Sequence, residues 1–148
     1  MTHAASAHPD LYARIQASFV RQGMMQHIGA RIVSVAPGEV EIALPYSERV
    51  TQQQGGYHGG AMGALADIAA GYAGLTMAPE GQEVTTVEYK INFLAAFQGG
   101  ELRARGHVVR AGKRLIITTA DVVHLDDGGG ESLCALMQQT LATVNKTY

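Results

Sequence analysis

The chain has a single cysteine, Cys134, no tryptophan, and few charged residues, at 16%. One thiol excludes an internal disulfide framework and any CxxC metal or redox site. A formal net charge of −2 argues against a nucleic-acid binder, which carries a basic excess on one face. Met1 to Asp10 contains no basic segment followed by an apolar run, so no secretory signal is expected and the expected address is cytoplasmic. The longest stretch poor in charge, Ala61 to Ala78, is interrupted by glycines, Asp67 and Thr76. It reads as a buried core helix rather than a membrane span.

What remains is an ordered chain of 148 residues, 47% of them hydrophobic, enough to bury a core without staples. No internal repeat or low-complexity linker divides it, so one domain over residues 1–148 is expected, with 1–10 as a flexible terminus. Leu11, Ile15, Phe19 and Val20 recur at helical spacing, with Gly23 as the expected end. Ile32 to Val35 and Val40 to Leu44 flank Pro37-Gly38, the signature of a hairpin. After a polar loop, Ala61 to Met77 reads as a helix apolar on nearly all sides.

Strand-like alternation resumes with Val87, Tyr89, Ile91 and Phe93 on one face and Thr86, Glu88, Lys90 and Asn92 on the other. Leu102 to Arg110, Arg114 to Leu125 and Leu133 to Val144 complete four strands, whose short connections predict an antiparallel meander. Helix, two strands, helix, four strands lacks the alternation of a doubly wound sheet. The expected class is α+β, an antiparallel sheet wrapped around one buried helix.

Asp67 is the only charged residue between His58 and Pro79. A carboxylate among apolar neighbours needs a partner, a shifted pKa or a task. Before it stand His58-Gly59-Gly60, where a helix begins with unpartnered backbone N–H groups and a dipole that favours negative charge. Glycine there lets a ligand carbonyl approach the backbone. An amide at that carbonyl would stabilise an oxyanion, and a carboxylate could activate water. Gly59 and Asp67 are eight positions apart, about 12 Å along a helix axis. One helix cannot bring both to a single carbonyl, which calls for a symmetric homodimer.

His58-Gly59-Gly60 followed by Leu65-Ala66-Asp67 resembles the signature of the PaaI-type acyl-CoA thioesterases of the hotdog superfamily. Val87 to Leu94 is similar to that family's strand after the helix, and Gly112-Lys113 to its hairpin. The resemblance implies hydrolysis of acyl-CoA thioesters, aryl-acyl or short to medium chain, in a homodimer that pairs into a homotetramer. It implies that the Gly59 amide polarises the carbonyl and that Asp67 of the partner subunit acts as general base or nucleophile. By the same resemblance His58 positions the carbonyl or the leaving thiolate, Gln52 stands near the water, and the Thr86 hydroxyl lines the site. Gly60 belongs with the substrate-binding turn. Coenzyme A enters as part of the substrate, with no further cofactor.

Arg103, Arg105, Arg110, Lys113 and Arg114 are the one basic concentration. They read either as a solvated face or, for Arg110, Lys113 and Arg114, as receivers of coenzyme A phosphates. His3, His8, His27, His107 and His124 are scattered without metal-ligand spacing. Two alternatives stay open. A hotdog hydratase or dehydratase would show a long Pro/Gly-rich segment around a histidine before the helix, and a non-catalytic acyl-CoA-binding module would have no need of Asp67.

Overall fold

The computed structural model describes residues 7–148. Residues 1–6 of the expected flexible terminus lie outside them, and Pro9 and Asp10 already open the first helix, α1 (Pro9–Phe19). Proline suits a first helical turn, and Asp10 meets the positive end of the dipole. Ile15 and Phe19, one turn apart, are buried. A short second helix that the sequence reading missed, α2 (Gly23–Ile28), follows directly. Gly23 opens it rather than ending α1. The stop comes at Gly29, whose φ of 81° is the left-handed cap that glycine adopts at no steric cost.

Strands β1 (Arg31–Ala36) and β2 (Glu39–Pro45) form the expected hairpin over Pro37-Gly38. The central helix, α3 (Gly59–Met77), buries Met62, Leu65, Ala66, Ala69, Ala70, Tyr72 and Ala73, side chains spread around its whole circumference as its composition requires. It ends just before Pro79, which cannot continue a helix. Then come β3 (Gln82–Phe93), β4 (Glu101–Ala111), β5 (Leu115–Leu125) and β6 (Glu131–Asn145). All six strands form one antiparallel sheet that packs on α3, the α+β architecture expected. No helix among the described residues is long and apolar enough to cross a membrane.

The sheet order, β1-β2-β4-β5-β6-β3, corrects the predicted four-strand meander. Only β4, β5 and β6 form one. β3 pairs with β6 at the far edge, and β4 takes the place beside β2. Side chains explain the exchange. Leu44, Ile42 and Val40 of β2 stand opposite Leu102, Ala104 and Gly106 of β4, all buried. That inward face, small toward its end, lets α3 lie close. β3 carries Glu88 and Lys90 beside Val87 and Tyr89, and exposed positions run along most of it, a composition suited to an edge. The link between β3 and β4, residues 94–100, is too long for a tight hairpin and long enough to cross the end of the sheet.

Candidate active site

The start of α3 is fixed before any chemistry is asked of it. His58 has extended backbone, φ −68° and ψ 134°, and its Nδ1 accepts the Gly60 N–H at 2.8 Å. His58 is therefore the N-cap, with Nδ1 unprotonated. Its own N–H reaches the Val50 carbonyl at 2.8 Å, and the Tyr57 N–H reaches Phe97 at 3.0 Å. Tyr57 is buried with its hydroxyl 3.2 Å from the Leu44 carbonyl. Burial, helped by the nearby Glu101 charge, pushes its phenol above the ordinary range.

Capping divides the two glycines. The Gly60 amide is engaged by His58, whereas the Gly59 amide has no acceptor among the described residues. Gly59 is thus the free donor at the positive end of a 19-residue helix. A β-carbon at Gly59 would lie 3.2 Å from the tip of the Phe93 ring. Gln52 sits close by in a turn, its backbone paired with Gly56 at 2.9 Å and its Oε1 accepting the Gln54 N–H.

Asp67 lies two turns further along α3, half-buried. Its Oδ1 accepts the Thr86 hydroxyl at 2.7 Å and the Gln139 amide. Gln139 Nε2 also lies 3.2 Å from Thr86 Oγ1, and its Oε1 accepts the Thr118 hydroxyl at 3.0 Å. Oδ2 has no partner among the described residues. Asp67 and Thr86 stand on the wall of a cavity of about 270 Å³ that also includes Ile68, Gly71, Leu75 and Leu141.

The structure thus brings the expected residues together in two groups. Asp67 and Thr86 form one, and Gln52, His58, Gly59 and Gly60 the other, with none of the second group lining the Asp67 cavity. Arg110, Lys113 and Arg114 belong to neither: they are exposed around the β4–β5 turn. Arg103 and Arg105 are engaged in ion pairs with Glu41, Glu101 and Glu131. Sequence reasoning missed Gln139 and Thr118. Their signal was parity: Gln139 falls on the buried beat of β6 with Ala135, Met137 and Leu141, and Thr118 on that of β5 with Ile116 and Ala120.

With this geometry in place, comparison with known proteins gives a consistent answer. A family model described as Thioesterase superfamily matches residues 54–131, which include both groups except Gln52. A solved structure of a thioesterase family protein from Silicibacter pomeroyi is 37% identical, covers 92% of this chain and 99% of its own, and superposes with a TM-score of 0.88. A 1,4-dihydroxy-2-naphthoyl-CoA hydrolase from Listeria monocytogenes is 33% identical over 62% of this chain and 74% of its own. The E. coli PaaI protein, at 21% identity over 93% of this chain and 95% of its own, shares the fold with a TM-score of 0.81. This chain belongs to the thioesterase superfamily and is a thioester hydrolase of hotdog fold.

Proposed function

We propose that the protein hydrolyses acyl-CoA thioesters, aryl-acyl or short to medium chain, to a free acid and coenzyme A. The observation that carries this is the Asp67 carboxylate, held by two donors on one oxygen with the other turned free at a cavity wall. Asp67 acts as general base on water, or as nucleophile, at the thioester carbon. The oxyanion that forms is met by the Gly59 N–H, and the thiolate of coenzyme A leaves.

Because Gly59 and Asp67 stand about 12 Å apart along one helix, the two come from different chains of a homodimer, and dimers pair further into a tetramer. β3 supports the assembly. It is an edge strand, and Val87, Tyr89 and Phe93 are 57%, 42% and 52% exposed on it. An exposed apolar edge is a template for pairing with another chain. His58, carrying its proton on Nε2, positions the carbonyl or the leaving thiolate, and Gln52 stands near the attacking water. Gly60 shapes the turn that the substrate meets, and the Thr86 hydroxyl lines the carboxylate's side. Arg110, Lys113 and Arg114, free of ion pairs among the described residues, receive the phosphates.

The acyl group takes the cavity beside Asp67. Asp67, Gly71 and Leu75 are successive positions on one face of α3, and a β-carbon at Gly71 would meet nothing within 4 Å. The open slot therefore runs along the helix from the carboxylate, with Ile68, Leu75 and Leu141 on its walls beside the polar Ser18, Gln22 and Glu83. At about 270 Å³ it suits an acyl group rather than the whole coenzyme, since ligand pockets run from about 300 to 1,000 Å³.

The test is thiol release from a panel of aryl and fatty acyl-CoAs by the natural protein and by Asp67→Asn. Release by the former with a loss of roughly 10³-fold or more in a folded variant is expected. Acyl-CoA binding without release by the natural protein would replace this reading with the binding module.

A further inference from the structure

Gln139 and Thr118 are 0% exposed, polar side chains on the largely apolar inner face of the sheet. An amide and a hydroxyl buried there are costly unless each group finds a partner. Both do, and the chemistry of the atoms fixes the direction of every bond. A carboxylate only accepts, so Gln139 presents its NH₂ to Asp67 Oδ1. Its carbonyl oxygen must then point the other way, where the Thr118 hydroxyl donates to it at 3.0 Å. Thr86 donates to the same Oδ1 at 2.7 Å and lies 3.2 Å from the Gln139 nitrogen. Two groups, from β3 and β6, thereby converge on one oxygen of a side chain on α3, and a third, from β5, holds the second of them from behind.

We propose that Gln139 is a positioning residue for Asp67 and that Thr118 anchors the far end of the Gln139 amide, so that Oδ1 is held and Oδ2 is presented to the water or the thioester carbon. Without the Thr118 hydroxyl the Gln139 carbonyl is left buried with no donor. The amide then shifts out of line to find one, and its hold on Oδ1 loosens. This role rests on the reading of Asp67 as the catalytic carboxylate.

A packing role makes the opposite prediction at Thr118. Valine fills the space of threonine and removes only the hydroxyl, whereas serine keeps the hydroxyl and leaves a methyl-sized void. The experiment measures kcat and KM on one acyl-CoA, with thermal unfolding of each protein. It compares the natural protein, Asp67→Asn, Thr118→Val, Thr118→Ser, Gln139→Met and the Thr118→Val/Gln139→Met double variant. Thr118→Val and Gln139→Met are expected to lower kcat about tenfold or more with KM held within about twofold, while Thr118→Ser stays within about threefold. The double variant is expected to be no slower than Gln139→Met alone, because both act through one amide.

With Asp67→Asn inactive, natural turnover by folded Thr118→Val, or losses that multiply in the double variant, would overturn the positioning role and leave the catalytic reading standing. Natural turnover by Asp67→Asn would overturn both. If Gln139→Met does not fold, the contrast between valine and serine at Thr118 decides the matter.

Discussion

Gly106 of β4 lies directly against the backbone of Ala69 in α3: a β-carbon at Gly106 would fall far inside contact distance of the Ala69 carbonyl oxygen. That approach sets how deeply the helix sits in the sheet, two residues from the Asp67 carboxylate. Gly106→Ala is therefore expected to destabilise by about 2–3 kcal/mol, as overpacking of a rigid contact does. Thermal unfolding should show a midpoint lowered by roughly 4–12 °C. Gly23→Ala, where a β-carbon meets nothing within 4 Å, is the control and should leave the midpoint nearly unchanged.

Gly59 offers an unusually clean substitution. It is the first residue of α3, where a missing N–H costs the helix nothing, and His58 before it already has the extended backbone that proline requires of its predecessor, ψ 134°. Gly59→Pro removes the proposed oxyanion donor and keeps the helix, with the exposed Phe93 ring yielding to the new atoms. A fall in kcat of roughly 10²–10³-fold with the unfolding midpoint preserved is expected, the usual cost of losing one such donor.

Cys134 bears on how the activity is assayed. Its side chain is buried, and burial pushes the thiol from 9.0 up to about 11. A thiol reagent at pH 8 should therefore find no reactive cysteine in the folded protein and one per chain after denaturation, so that released coenzyme A is read without background. Raised folded affinity for the proton also gives a stability term. It is complete below the unfolded thiol's pKa and is lost as pH rises from about 9 through 11. Unfolding midpoints should accordingly fall across that window, and Cys134→Ala should flatten the fall.

Much of this was legible in the chain because it is local. The uniform apolarity of 61–77 specified a buried helix, and a single aspartate within it could be identified as needing a task. What was missed depends on contacts between distant segments. The preference of β4 over β3 for the place beside β2 follows from Gly106 meeting Ala69, a match no window of sequence displays. Gln139 hid in the triplet Gln138-Gln139-Thr140, where only strand parity separates the buried residue from its exposed neighbour Gln138. The extra residue at Val87, a bulge between Thr86 and Glu88, likewise breaks the simple alternation read along β3.

The central claim is that each active site joins Asp67 of one chain to the Gly59 amide of its partner. It is tested by combining Asp67→Asn with Gly59→Pro under conditions that let subunits exchange. In the mixed dimer one site holds both defects and the other holds neither. An equimolar mixture should regain about a quarter of natural activity, since half its dimers are mixed and each has one intact site. Activity that stays at the level of the two separate variants, in a mixture shown to exchange subunits, would contradict the shared site.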